Sequence, residues 1–364
     1  MEYPVHVHDL TVGDPCILAD PQTKKYYMYA RMMRFGETSS ERKGTGGTFY
    51  ATCSEDLVHW SNPILVFEQN DFWAGLDYWA AEGHYYNGKY YIFSSFRAPG
   101  TMRRCQALVA DNPLGPFKPI RQEPVTPPGW HCLDGHLYID KKGDPWMVFC
   151  HEWLQVFDGQ MCAIRLSKDL GEAVGDPIIL FRASEAPWGD DLVYSNTGYG
   201  GVTDGPWLHR MEDGSLIMLW SNFSPYGYAV GLAKSLSGEI FGPWEQFDKP
   251  LFCNDGGHAS LFRRFDDGML MMPLHTFGRE GPGKRTLIFE VEEYKGLIEI
   301  VNEFTGNWFD SIGGHPMRYR SAVPSVDPPT PTKLTVYGGP FARRLLSRSA
   351  PPSVHKKGKL FKKR

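Results

Sequence analysis

An all-β fold, a five-bladed β-propeller, is what this sequence predicts, and three observations carry the prediction. One motif occurs five times along 364 residues: an ionisable residue, a short apolar segment, a tight turn and a second apolar segment. Successive copies lie roughly 50–70 residues apart, the length of one four-stranded blade. A second echo lies outside them, since DNPLGPFKPI (111–120) and SLSGEIFGPWEQF (235–247) share a small residue–Gly–Pro–aromatic turn.

The clearest copy is VTDGPWLHRMEDGSLIMLWS, Val202 to Ser221. Asp204 opens it, Asp213-Gly214 turns it, and Leu216 to Trp220 closes it, which reads as two strands joined by a hairpin. The others begin at Asp14 (GDPCILADPQTKKYYMYA), Glu82 (AAEGHYYNGKYYIFSS), Asp134 (LDGHLYIDKKGDPWMVFC) and His258 (GGHASLFRRFDDGMLMMPLH). In a propeller the innermost strand of each blade starts near the central channel. Asp14, Glu82, Asp134, Asp204 and His258 are therefore expected to form a ring facing one funnel.

Taken in order, residues 1–12 alternate weakly (Val5, Val7, Leu10) and predict a strand that closes the ring against the last blade. His6 and His8 share one strand face but lack a third ligand, so they read as surface histidines. Blade one runs from Asp14 through Tyr26–Ala30 and Thr48–Thr52 to Asp56–Trp60. Its KGTGG loop (Lys43 to Gly47) is followed by a strand and lacks the Walker spacing, so these are turn glycines and not a phosphate cradle. Blade two begins near Trp73 and Trp79 and takes in Glu82, Tyr90–Ser95 and Ala107–Ala110. Blade three spans Asp134 to about Leu180, with strands at Trp146–Cys150 and Met161–Leu166. Blade four covers Asp204–Phe247, and blade five His258 to about Ile300. The propeller is thus expected over residues 1–303. Residues 304–364 are Pro-rich and then basic, the composition of a disordered tail, with a nucleic-acid or membrane-surface arm as the alternative.

Bulk composition narrows the function. At 42% hydrophobic residues the chain can bury a full core, and five similar units favour one domain. With 11 Trp and 18 Tyr, aromatics exceed what a core needs and suit a cleft that stacks flat rings on sugar faces. The net charge of -4 hides about ten Lys and Arg in residues 331–364, so the body is strongly acidic. An acidic body disfavours nucleic acid as a partner of the main domain. Seven scattered cysteines with no CxxC pair predict buried free thiols and no zinc site. Neither a secretory signal nor a membrane-spanning run is visible, so no membrane partner and a cytoplasmic location are expected.

Carboxylates converging on one polar hole repel one another and raise some of their own pKa values. Glycoside cleavage needs such a set: one carboxylic acid to protonate the leaving oxygen, and one carboxylate to activate water or attack. Asp14 and Asp204 sit on non-adjacent blades, and the wide gap leaves room for a water, which favours inversion. Asp134, beside Asp204, would hold the acid protonated near neutrality. Trp79 and Trp207 flank ring members and offer faces to a sugar or pack in the core. His136 lies two residues beyond Asp134 on the same strand face and is placed either to reach substrate or to be a hydrogen-bonded interior histidine, and Glu82 is placed to bind sugar hydroxyls or Arg. Loops Phe35–Gly47 and Pro187–Gly201 are placed to shape subsites.

In order and spacing, GDPCILADPQTKKYYMYA, YWAAEGHYYNGKYYIFSS, LDGHLYIDKKGDPWMVF, TDGPWLHRMEDGSLIMLWS and GGHASLFRRFDDG resemble the inner-strand motifs of glycoside hydrolase family 43, over residues 10 to about 300. The resemblance implies an inverting hydrolase of α-L-arabinofuranosides or β-D-xylosides, with an arabinose- or xylose-containing oligosaccharide as its partner. It implies Asp14 as general base, Asp134 as pKa modulator and Asp204 as general acid. His258 matches the family's central histidine, which stands near a channel water or ion; no cofactor is required, and calcium or sodium is the candidate there. One departure is that the acid motif is usually Glu-Gly-Pro, where this chain has Asp204-Gly205-Pro206. The shorter side chain loses about 1 Å of reach, and misplacement of that order can cost about 100-fold; Glu82 and Glu152 are the fallback acids. Two alternatives stand: a carbohydrate-binding propeller with reduced or lost catalysis, and a five-bladed glycosidase of other sugar specificity.

Overall fold

The computed structural model describes residues 1–30, 47–189, 193–195, 198–225, 227–276 and 285–304. The expected tail beyond Phe304 lies outside the described residues, as do 31–46 and parts of the 187–201 loop. Among the described residues the strands form five antiparallel blades and one small hairpin, Val193–Ser195 with Gly198–Gly200.

Each blade is a meander running outward from the channel. Blade 1 holds Cys16–Asp20, Lys25–Ala30, Thr48–Ser54 and two outer segments, His59–Trp60 and Ile64–Glu68. Blade 2 holds Leu76–Tyr86, Lys89–Arg97, Arg104–Ala110 and Lys118–Pro119. Blade 3 is Cys132–Ile139, Pro145–His151, Gln160–Arg165 and Ile178–Arg182; blade 4 is Asp204–Arg210, Leu216–Ser224, Gly227–Ser235 and Trp244–Gln246. Blade 5 has a broken inner strand, Gly256–Gly257 and Phe262–Arg263, followed by Leu270–Thr276, Arg285–Tyr294 and Leu297–Glu303. Asn87-Gly88 and Lys295-Gly296, all at positive φ, make the two-residue turns whose twist matches the strands they join. The Gly-Pro echo marks equivalent places: Gly115 and Gly242 both adopt left-handed φ just before the outermost strands of blades 2 and 4.

Five apolar clusters hold the blades together, and each spans two neighbouring blades. Phe49 and Tyr29 meet Tyr78 and Phe96 between blades 1 and 2, and Phe93 and Cys105 meet Met147 and Phe149 between blades 2 and 3. Phe181 meets Trp220 and Trp244 between blades 3 and 4, and Val230 and Leu232 meet Leu274 and Phe289 between blades 4 and 5. Fully burying such a side chain contributes about 1.5–3 kcal/mol, so the seams supply the driving force for closing the ring. All seven cysteines are free thiols, six of them buried and Cys253 half-buried. No helix among the described residues is long and apolar enough to cross a membrane.

The fifth seam corrects one expectation. Val5–His6 does not join the last blade; it pairs with His59–Trp60 at the outer edge of blade 1. Blade 5 already has its outer strand, Leu297–Glu303, paired to Arg285–Tyr294, so no third-strand edge is left for the N-terminus to fill. Closure comes from side chains instead. Val7, Leu10 and Val12 pack with Met28 and Trp60 of blade 1 and with Phe262, Met271 and Ile288 of blade 5. Leu10→Ala is therefore expected to cost about 2–5 kcal/mol in urea unfolding, as a large-to-small change in a closed core does. Val301→Ala, at a position 37% exposed on the outer strand, is expected to change stability by under about 0.5 kcal/mol. Equal effects at the two positions would count against the seam as the closure.

Candidate active site

One residue at the start of each inner strand adopts a left-handed backbone: Asp14 (φ 56), Ala80 (φ 48), Asp134 (φ 56), Gly205 (φ 49) and His258 (φ 57). Four of these carry a Cβ, for which that conformation is unfavourable, so the surrounding structure must hold it. The ladder slips at this point in blades 2, 3 and 4, marking a bulge that re-aims the side chain. A neighbouring blade supplies the restraint by accepting the backbone N–H. Asp14 N–H donates to His275 Nδ1 (3.1 Å), Asp134 N–H to Ser95 Oγ (3.0 Å), Gly205 N–H to Asp134 Oδ2 (3.0 Å) and His258 N–H to Ser221 Oγ (2.8 Å).

The five ring residues read from the repeats do not share one register. Asp14, Asp134 and His258 occupy the left-handed position itself. Asp204 stands one residue before it, and Glu82 two residues after it. Asp14, Asp134, Asp204 and His258 line one cavity of about 430 Å³, together with Trp79, Glu152 and Trp153 on one side and Phe223, Tyr228 and His275 on the other. Glu82, His136 and Trp207 are not among its lining residues.

Glu82 and His136 lie deeper in the channel and bind each other, with His136 Nδ1 2.8 Å from Glu82 Oε2 and His84 Nε2 3.1 Å from the same oxygen. Trp207 stacks on His84 at 5.8 Å and tilts over His136 at 4.6 Å, so both imidazoles pack against one side of it. Glu82, His84 and His136 are the group among the described residues whose ligand atoms converge as a metal site requires. The hydrogen bonds argue against that use. Leu208 N–H donates to His136 Nε2 (3.1 Å), so the proton sits on Nδ1 and is directed at Glu82, leaving no lone pair for an ion.

The three aspartates differ in environment. Asp14's side chain is 24% exposed, whereas Asp134's is 7% exposed. His258 Nδ1 lies 3.5 Å from Asp14 and 3.8 Å from Asp134, too long for strong hydrogen bonds. Burial, and then the negative charges of Asp14 and Glu82, push the Asp134 carboxyl up to about 8 against the Gly205 N–H and Arg103. Burial first and Asp134 second push Asp204 up to about 7, against the pull of His258 and the Tyr228 hydroxyl. The Asp204 carboxyl, half-buried and with its pKa raised to about 7, thus faces the same cavity as Asp14.

The profile of "Glycosyl hydrolases family 43" matches residues 4–295. The chain belongs to that family. A solved structure described as an endo-arabinase from Bacteroides thetaiotaomicron VPI-5482 is 39% identical, with a TM-score of 0.74 over 81% of this chain and 99% of that one. The extracellular endo-alpha-(1->5)-L-arabinanase 1 of Bacillus subtilis (strain 168) is 29% identical over 103 residues, 27% of this chain and 29% of its own length. The xylosidase/arabinosidase 43A of Humicola insolens is 31% identical over 81 residues, 22% of this chain and 24% of its own length. The chain thus spans under a third of each of these two relatives.

Several cavity residues of this family 43 protein escaped the sequence reading: Leu133, Trp153, Phe223, Tyr228 and His275. A signal for His275 was present. Second strands return toward the mouth of the funnel, so their last residues reach it, and Ser95, Ser221 and His275 close the second, fourth and fifth repeats as quoted. Glu152, the fallback acid, is ion-paired to the buried Arg103 guanidinium, which also meets Asp77 at 3.1 Å and lies over the Trp79 ring at 3.9 Å. Trp79 is therefore braced on one face, and the residue itself is 39% exposed at the cavity. Arg103→Ala strands the buried Glu152 charge, while Asp77 keeps Arg97, and is expected to destabilise by about 3–5 kcal/mol. Glu152→Gln, which keeps a hydrogen-bond acceptor for Arg103, is expected to hold kcat within about threefold of wild type by steady-state assay, whereas an acid's removal costs about 100-fold or more.

Proposed function

We infer that this protein is an inverting glycoside hydrolase of arabinose- or xylose-containing oligosaccharides, with α-linked arabino-oligosaccharides as the favoured substrate. The single observation that carries this is that Asp204, whose carboxyl is pushed up to about 7, shares one cavity with Asp14. The arabinose preference rests on the endo-arabinase structure and on the Bacillus arabinanase, both named for that polymer.

In this reading Asp204, protonated, gives its proton to the leaving glycosidic oxygen as the bond to the anomeric carbon breaks. Asp14 takes a proton from the water that adds to the opposite face. Asp134 acts by crowding the acid and through the Gly205 N–H it accepts, which fixes the peptide directly after Asp204. Trp79 stacks a sugar ring on its open face. Glu82, His136 and Trp207 support the channel beneath instead of touching sugar. His258 Nε2 is buried with no hydrogen-bond partner among the described residues, which fits a calcium or sodium ion or a bound water. The imidazole would be one ligand and the ion would stiffen the channel.

Four measurements test this. Asp14→Ala and Asp204→Asn should each lower kcat on arabino-oligosaccharides by about 100-fold or more; retained sugar binding with no wild-type turnover would favour a binding propeller. Asp204 must be protonated and Asp14 ionised to act, so the profile should be bell-shaped, with activity falling as pH rises through about 7. Proton NMR of the first-formed product should show inverted anomeric configuration, and a retained anomer would reject the assignment of Asp14 as base. If calcium occupies the His258 position, EGTA should lower the melting temperature and added calcium restore it.

A further inference from the structure

Tyr228 opens the third strand of blade 4 and reaches back to the cavity. Its hydroxyl donates to Asp204 Oδ2 at 3.1 Å. The ring is 3% exposed and fixed on both faces: Phe223, its cross-strand partner, packs at 5.1 Å, and His275 stacks at 5.5 Å with planes 19° apart. Beneath it, Gly257 leaves the room the ring needs, because a Cβ there would sit 2.3 Å from Tyr228 Cε1. That glycine lies in the fifth repeat's GGH, where no turn requires it. His275, the stacking partner, accepts the backbone N–H of Asp14. One stacked pair therefore touches both aspartates assigned to the chemistry.

We propose that Tyr228 is the positioning residue of the general acid, holding Asp204 Oδ2 as an acceptor so that the transferable proton is confined to Oδ1. The proposal rests on the reading of Asp204 as acid. During cleavage the proton leaves Oδ1 for the glycosidic oxygen and the C–O bond pair departs with that oxygen. Water adds to the anomeric carbon and gives its proton to Asp14, and Asp204 is left as a carboxylate. The phenol–carboxyl hydrogen bond then becomes charge-assisted, so it strengthens as the proton departs. Burial holds the phenol well above its ordinary pKa, so it remains a donor throughout the working range. The short side chain of Asp204, which has fewer rotamers than a Glu to search, is fixed by this one contact.

The test reads acid assistance directly. Aryl glycosides of a short α-1,5-linked arabino-oligosaccharide are hydrolysed by wild type, Tyr228→Phe and Asp204→Asn, with leaving groups from phenol to 2,4-dinitrophenol. For Tyr228→Phe, kcat/KM is expected to fall about 10- to 100-fold with phenol and by less than about threefold with 2,4-dinitrophenol, which departs without a proton. Asp204→Asn should show the same pattern more steeply. Gly257→Ala, which displaces the ring but keeps both polar groups, should reproduce the Tyr228→Phe pattern. An equal loss across all leaving groups in Tyr228→Phe, with Asp204→Asn still dependent on them, would overturn the positioning role alone. Absence of that dependence in Asp204→Asn would overturn the acid assignment and this proposal together.

Discussion

Five apolar seams, one between each pair of neighbouring blades, bring the inner strands into a circle so tight that the aspartates at their ends cannot all be charged. Burial first, and this crowding second, set the character of the cavity. Apolar burial closes the ring, and the ring imposes an electrostatic cost on carboxyls that would each be ordinary on a surface. The hydrophobic term is spread over dozens of side chains, while the cost falls on Asp134 and Asp204, whose pKa values rise to about 8 and about 7. A large, distributed driving force can sustain a small, local strain.

That strain is shaped by hydrogen bonds running from blade to blade. Asp134 accepts the N–H of Gly205, so the side chain crowding Asp204 also holds the backbone that presents it. Asp14 is anchored through His275, and His258 through Ser221. Four of the five left-handed residues are thus held from outside their own blades, and those backbones cannot relax unless a seam opens. Electrostatics and backbone geometry are coupled through the same few atoms.

Below the cavity the polar content serves a different end. Glu82, His136 and the Leu208 N–H form a chain across blades 2, 3 and 4, capped by the Trp207 ring. Buried polar groups of this kind are tolerated because each has a partner, and they tie the inner strands at a fixed spacing where apolar side chains alone would permit sliding. The Glu152–Arg103–Asp77 group does the same beside Trp79, at the wall of the cavity.

Much of this was legible in the chain. Fivefold recurrence of one hairpin motif requires radial repetition, because a two-strand unit cannot bury its own apolar face, and the ionisable residue opening each copy marks the end that meets the channel. Register was not legible. Asp14, Asp134, Asp204, Glu82 and His258 look equivalent in the repeats, yet relative to the left-handed position Asp204 stands one residue earlier and Glu82 two later, and Glu82 falls outside the cavity lining. Tyr228 and His275 belong to strands that only the ring brings beside the aspartates, and the N-terminal strand pairs at the edge of blade 1. The sequence by itself determined the number of blades, their order and which carboxyls approach the axis, since these depend on local pattern and turn chemistry. Only the tertiary structure decided which of those carboxyls share a solvent-facing space and which hold a proton, because both depend on distances across the axis between residues far apart in the chain.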